Sequence, residues 1–579
     1  MWTIIELAMR SRRLAFCTAY LLGHSLLLTA CPPTPSETSG DASSGGQTDT
    51  SSTTSMCTIG SVDCPCTQGG ACDPGLVCSV DKVCVDDGGN SGSGSTSGST
   101  SSTTGDVSGS SGSSSTGAPS ECTPGEGQPS IDCIDLDPER PYCADSGVCG
   151  GCTVLPAGMG CAELDPKKPL CNADDGKCVE CTLDNAELCG GIEPACNPNT
   201  NACEGCFEHS HCPDSGACDI AARKCFPTDK VLHIRLGLPG QAPCTDKVAQ
   251  GNSGTASNPY CFFDSALAHA QKDGPSSGWI FKFMQTDWQQ FYQPNLAISG
   301  FDSPVTYALI HEPGSPENGD RHTRFLDGGT IVAVGTDVTV YINNFGIEAV
   351  NPASDSAQGL LCLPGARVYL DDSYVNGARG PGIRSIGCEV HLRRSAVTQG
   401  WTEGIDIVDS ELHMVNSSIT NNTFHVGYNG GGIAAGNTKI DILYSTIIGN
   451  NNELMAGGDS INCRDDLVMG AIRNSVIGRK SMGNNPSIKC NSQNLTVTTS
   501  VLDSDEFKTG NYKTDGETIL SWFGVNLTTG VAVVNKTGAP LLQDKAVWQK
   551  GDPWADYQGD PRPGKVGQYD YAGADVYVP

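Results

Sequence analysis

Basic side chains are scarce in this 579-residue sequence: 35 Lys and Arg stand against 65 Asp and Glu, a formal net charge of -30. A surface this acidic repels phosphate backbones and excludes nucleic acid as a partner. It suits solubility outside a cell and weak capture of divalent cations. Charged residues of both signs together make up only 17% of the chain. Apart from one stretch near the N-terminus, residues 14–28, no long apolar run occurs, and that one is shorter than the roughly 20 residues a spanning helix needs. Beyond Val231 helical periodicity almost vanishes, and the evenly spaced hairpins with tight two-residue turns that a β-sandwich or propeller prefers are also lacking. Gly-rich segments are present, but no helix pattern follows them, so they are not phosphate-binding loops.

In place of these the chain has 71 Gly and 30 Cys. So many cysteines point to an oxidising compartment, since reducing cytosol would hold them as thiols. The N-terminus agrees. Arg10, Arg12 and Arg13 precede the apolar run, which ends in Leu28-Thr29-Ala30-Cys31. This resembles the lipobox of bacterial lipoproteins, and the resemblance implies export, cleavage before Cys31 and lipidation of its thiol. Residues 1–8 carry no positive charge, so both Met1 and Met9 are candidate starts. Several acyl chains hold a protein firmly, because each buried methylene contributes about 0.8 kcal/mol. The expected location is the cell envelope, with the outer membrane favoured because Pro32 is not a recognisable retention signal.

The expected organisation is a leader over 1–31, a linker over 32–56, a six-cysteine module over 57–85, a Gly/Ser/Thr linker over 86–121, four four-cysteine repeats over 122–230 and a β-domain over 231–579. The linkers lack the apolar content for a core and act as spacers, the first reaching roughly 25–30 Å. In the repeats the third cysteines follow similar dipeptides, Pro141-Tyr142, Pro169-Leu170, Pro194-Ala195 and Gly216-Ala217. Adjacent repeats join through Cys149-Gly-Gly-Cys152, Cys178-Val-Glu-Cys181 and Cys203-Glu-Gly-Cys206. Such pairs also serve as zinc ligands or redox couples. The export signal and the even cysteine count favour structural disulfides, with three pairings open in each repeat. The segment resembles cysteine-rich stalk repeats of exported bacterial proteins.

After Val231, windows of the form apolar-x-x-Ser-x-apolar recur. They start at Leu370, Leu392, Met414, Ile442, Ile472 and Val497, with serines at Ser373, Ser395, Ser417, Ser445, Ser475 and Ser500. A second strand, nine to eleven residues earlier, carries Leu360, Ile383, Ile405, Ile433, Ile461 and Ile488, four of them directly after a glycine. Rungs of 22–30 residues are too thin to bury their own apolar groups, so they must stack at about 4.8 Å around a shared core. The reading is a right-handed parallel β-helix, mainly β, preceded by small disulfide-rich repeats. Cys463 and Cys490 fall one above the other in this register and are expected to be bonded; Cys244, Cys261, Cys362 and Cys388 are further disulfide candidates. The segment 254–259 leading into 262–271, with Phe263, Leu267 and Ala270 on one face, resembles the capping helix of pectin-lyase-like β-helices. The motifs around Gly559-Asp560-Pro561-Arg562 and Gly573-Ala574-Asp575 resemble the tail of choice-of-anchor Q β-helix proteins.

The pectin-lyase-like resemblance implies an extended polysaccharide as the usual ligand. Tyr341, Tyr369, His391, His413 and Asp441 form one outward column, either a sugar-stacking face or a ladder that merely covers a sheet. Arg384 with Asp406, and Asp371 and Asp372 with Arg393 and Arg394, supply the residue types of a lyase, in which calcium would be the cofactor. The simpler expectation for these is exposed salt bridges. No lyase motif is reproduced residue by residue. The reading is therefore an envelope protein that presents a β-helix to glycan or to a partner surface without demonstrable catalysis and without a cofactor. The alternatives are a surface polysaccharide lyase or glycoside hydrolase, and a structural spacer or adhesin.

Overall fold

The computed structural model describes the chain from Cys122 onward, apart from breaks within several segments, and before that two short strands, Leu76–Cys78 and Cys84–Asp86. These two pair antiparallel with Cys78 opposite Cys84 and belong to a separate unit, Met1–Ser114. Cys31 and the other cysteines of the six-cysteine segment lie outside the described residues.

In the second unit the four repeats are four small antiparallel hairpins with one pairing rule. First bonds third and second bonds fourth: Cys122–Cys143 with Cys133–Cys149, Cys152–Cys171 with Cys161–Cys178, Cys181–Cys196 with Cys189–Cys203, and Cys206–Cys218 with Cys212–Cys225. The two cysteines of each C-x-x-C junction therefore sit in different disulfides. They are neither a redox couple nor free thiolates for zinc. Few apolar residues are buried here, so covalent bonds take the place of a core.

From Val231 the chain coils. Three parallel sheets run side by side, of ten, ten and eight strands, and each strand pairs with its counterpart one coil away. Sheet A contains Arg367–Asp371, Glu389–Arg393, Glu411–Val415 and Lys439–Leu443. Sheet B contains Tyr374–Asn376, Ala396–Thr398, Ser418–Thr420 and Thr446–Asn450. Sheet C contains Ile383–Ile386, Ile405–Val408, Ile433–Gly436 and Ile461–Cys463. This is a right-handed parallel β-helix. Ile383, Ile405, Ile433, Ile461 and Ile488 stack in register and are fully buried, as is the Leu370–Leu392–Met414–Ile442–Ile472 column opposite. Gly359 and Gly382 precede sheet C because a Cβ there would lie 2.3 and 2.6 Å from Val375 and Val397.

The corner from A to B explains the serine windows. The residue before each serine has a left-handed backbone, with φ of 48° at Asp372, 46° at Arg394, 47° at Asn416, 45° at Tyr444 and 55° at Asn474. Asn and Asp tolerate this conformation; Arg and Tyr do not favour it. A ladder holds it. The backbone N–H of Ser373 donates to Ser395 Oγ, Ser395 to Ser417, Ser417 to Ser445, Ser445 to Ser475 and Ser475 to Ser500, at 3.1–3.3 Å. Each hydroxyl donates in turn to the carbonyl two residues back. Every corner thus satisfies a buried amide of its neighbour.

The N-terminal end is closed by the helix Phe263–Lys272, which buries Phe263, Ala266, Leu267 and Ala270 over the bore. The Cys244–Cys261 disulfide lies just before it. Cys362–Cys388 and Cys463–Cys490 link adjacent coils, with Cα atoms 6.0 and 4.8 Å apart. The last coil strand is Tyr512–Lys513. Beyond it, the tail of the 231–579 domain folds back along sheet B and buries Trp522, Val534, Leu542 and Ala572 against Tyr444, Ile448, Val476 and Val501.

Candidate functional site

Strand alternation puts Tyr341, Tyr369, His391, His413 and Asp441 on the outer face of sheet A in one register column. The rings stack on one another, with centroids 4.7 Å apart for Tyr341 and Tyr369, 4.2 Å for Tyr369 and His391, and 4.5 Å for His391 and His413. Sugar stacking needs an open ring face, and here most faces are covered by the next ring. Tyr341 is moreover fully buried beneath the fourth cysteine repeat: its hydroxyl donates to Asp219 at 2.7 Å and accepts the Ala221 N–H. This column is a ladder, not a sugar platform.

The paired charges at the A-to-B corner are also covered. Arg393 makes two 3.0 Å bonds to Asp371 and donates to the Phe207 carbonyl at 2.6 Å. Arg394 makes two 2.7 Å bonds to Asp372 and one of 2.6 Å to Glu208. Asp371, Asp372, Arg393 and Arg394 are therefore braces that seat the fourth repeat on the β-helix. Their ion pairs are part-buried rather than freely exposed. Docking depends on a loop some 160 to 190 residues earlier in the chain, which no local pattern reveals.

Sheet C carries the more open arrangement. Arg384 and Asp406 are register neighbours with Nε and Oδ2 3.7 Å apart. Two coils on, Arg464 reaches back to Asp406 at 2.7 Å and to Glu403 at 3.7 Å. Glu403 is only 3% exposed, and burial, reinforced by the charge of Asp406, holds its carboxyl above the usual range. The Arg464 guanidinium lies where a cation shared by the two carboxylates would sit, so this pair is better suited to hydrogen bonding than to calcium. Two residues before Glu403, Trp401 is 46% exposed and carries the Arg379 guanidinium 4.5 Å from its ring centre. The turn is pinned by the Gly400 N–H to Asn422 and the Trp401 N–H to the Ala378 carbonyl. Trp401, Glu403 and Arg464 were not singled out from sequence because they lie in turns or at a strand end, off the repeat frame. The available signal was an aromatic inside a polar turn flanked by glycines, Gly400-Trp401-Thr402-Glu403-Gly404.

Between sheets C and A runs an open groove of about 530 Å³, lined by Arg367, Glu389, Glu411, Lys439, Leu467 and Met469 among others. Along its wall Glu389 Oε1 meets His391 Nε2 at 2.7 Å.

Residues 120–231 match the model of a family of unknown function (DUF8331). No curated protein matches the chain. Among solved structures, the chain is similar to the deglycosylated pectin methylesterase from Aspergillus niger, at 13% identity and a TM-score of 0.23, over 48% of this chain and 92% of that one. It is also similar to a rhamnogalacturonan lyase, at 12% identity and a TM-score of 0.15, over 47% of this chain and 87% of that one.

Proposed function

We propose that this protein is an exported envelope lipoprotein that holds a glycan chain on the sheet C face of its β-helix, around Trp401. One observation carries the reading: a tryptophan left 46% exposed beside a buried carboxylate and three arginines, Arg379, Arg384 and Arg464. A large aromatic offers a face for a sugar ring, and guanidinium groups suit uronate carboxylates. The disulfides throughout the described region support export into an oxidising space. The cysteine repeats then hold the β-helix away from a membrane reached through Cys31.

Calorimetric titration of the mature chain with uronate-rich and neutral polysaccharides tests this. Trp401→Ala is expected to weaken binding at least tenfold, about 1.4 kcal/mol. Unchanged affinity in that variant sinks the site, and failure of every glycan to bind leaves the spacer reading. The raised carboxyl of Glu403 beside Asp406 favours a second reading, a glycoside hydrolase or lyase. Release of reducing ends or unsaturated product, abolished by Glu403→Gln with binding retained, would establish it. For the anchor, Cys31→Ala is expected to move the protein from the membrane fraction to the soluble one and to abolish incorporation of labelled fatty acid. Persistent labelling of the variant would place the lipid on another residue, and an unlabelled parent would remove the anchor.

A further inference from the structure

We propose that Glu389, His391 and His413, assisted by Glu411, form a binding site for a divalent transition-metal ion of the zinc class on the outer face of sheet A. The sequence places Glu-x-His twice, at Glu389-Val-His391 and Glu411-Leu-His413. The period of two puts both members of each pair on one face. Parallel register then sets Glu389 beside Glu411 and His391 beside His413. Three donors, from Glu389, His391 and His413, converge without any loop, with Glu411 at the edge of the group.

The distances suit an ion. One ligand atom from each of Glu389, His391 and His413 lies within 4.8 Å of the others. Donors at that spacing sit about 2.8 Å or less from a common centre, against roughly 2.0–2.1 Å in a bound zinc site, so each moves by under about 1 Å. Glu411 Oε2, 3.4 Å from His413 Nε2, lies outside this group and would join it as a fourth donor by turning its side chain. On its other side His413 Nδ1 faces Asp441 Oδ2 at 3.4 Å, the outer carboxylate that commonly fixes a ligating imidazole.

Charge and access agree. Glu389, Glu411 and Asp441 surround two imidazoles; Arg367 holds Glu389 Oε2 at 2.9 Å and Lys439 lies 3.0 Å from Asp441 and 3.7 Å from Glu411, which leaves Glu389 Oε1, the oxygen facing His391, as the atom for an ion. Glu389 and Glu411 also line the open groove, which gives an ion a path from solvent. Imidazole donors select the zinc class over calcium or magnesium. The described cysteines of the repeats offer no competing thiolates, since all are paired in disulfides.

One geometric cost identifies the site experimentally. The two imidazoles are stacked almost parallel, 12° apart, and an imidazole binds a metal in its own plane. An ion shared by both must tilt them towards each other and break the stack. This site is independent of the glycan reading, which concerns sheet C.

The test is calorimetric titration of the chelator-stripped full chain, free thiols alkylated, with zinc chloride, alongside NMR of the histidine ring protons. One saturable site is expected, with two histidine ring signals shifting together. His391→Ala, His413→Ala and the near-isosteric Glu389→Gln should each weaken binding at least tenfold while circular dichroism stays unchanged. Lys439→Ala, which removes a cation and no ligand, should bind zinc as tightly as the parent or more so. Absence of saturable binding, or parental affinity in Glu389→Gln and His413→Ala, overturns the proposal. If the alanine variants unfold, Glu389→Gln and the paired ring shifts decide it.

Discussion

Arg562→Ala is expected to lower stability by about 3–5 kcal/mol and to release the C-terminal segment from the β-helix. The arginine is almost fully buried. Nη1 donates to Asp570 Oδ2 at 3.0 Å and to the Tyr571 carbonyl, and Nη2 to the Gly573 carbonyl at 2.8 Å and to Asn416 Oδ1 at 3.3 Å. Its guanidinium carbon lies 4.0 Å from the centre of the Tyr444 ring. Asn416 and Tyr444 are corner residues of two successive coils with left-handed backbone, so this one side chain reads the serine-ladder corner directly. Truncation leaves the Asp570 carboxylate, itself 4% exposed, without its cation in a dry site, and leaves several acceptors unfilled. The measurement is denaturant unfolding followed by fluorescence of the buried Trp522 and Trp548, with limited proteolysis of the region beyond Lys513. The double variant Arg562→Leu/Asp570→Leu should recover part of the loss, because no charge is then stranded. A loss below about 1 kcal/mol for Arg562→Ala would show that the tail is held by apolar packing alone.

That arginine sits in a motif visible in the primary sequence, Gly559-Asp560-Pro561-Arg562, although its target does not. The same division runs through the molecule. The β-helix was legible because each coil repeats the same corner: a serine whose hydroxyl fills a neighbour's amide must recur at one place in every turn, and the inward apolar residue must recur with it. The coil lengths vary from 22 to 30 residues, yet the corner does not. Register was legible for the same reason, down to Cys463 beside Cys490. What covers the coils was not. Tyr341 is an outward residue of its strand, buried because the fourth repeat docks on it, with Asp219 and Ala221 on its hydroxyl and Phe226 against its ring. The return of the tail over sheet B hides Tyr444, Val476 and Val501 by a contact that spans about 30 to 130 residues and has no period. Trp401 and Glu403 escaped because the turn 399–404, although it matches 377–382 in length, shares no side-chain type with it before the closing glycine, and the next two turns are longer.

Arg394→Ala is expected to loosen the fourth cysteine repeat from the β-helix, at a cost of roughly 2–3 kcal/mol, below the range for a fully buried pair because the partners retain some solvent contact. Glu208 and Asp372 would both lose the guanidinium between them. Burial acts to raise both carboxyls, but Arg394, helped by Arg393, outweighs it and holds them below the usual range. His209 adds a pH dependence. Its Nδ1 accepts the Cys218 N–H at 3.0 Å, and its Nε2 faces Asp371 at 3.8 Å. Burial outweighs the attraction of Asp371 and brings its pKa down to about 4 from 6.5. A histidine depressed on folding takes up its proton more readily when released. Its contribution is therefore complete above about pH 6.5 and is lost as pH falls from there towards 4, by an amount on the order of 2–3 kcal/mol. Glu208 and Asp372 act in the same direction at lower pH, since their depressed carboxyls contribute above the ordinary carboxylate pKa and cease to as they are protonated. Hydrogen exchange at the Ala221 amide, which is bonded to Tyr341 in the docked state, follows the docking: its protection relative to the intrinsic rate at each pH should fall between pH 6.5 and 4, and Arg394→Ala should show low protection already at pH 7. His209→Gln should flatten the upper part of that profile, because a side chain that does not titrate gives the released repeat no proton to gain. A profile unchanged by His209→Gln would assign the acid sensitivity to the carboxylates alone.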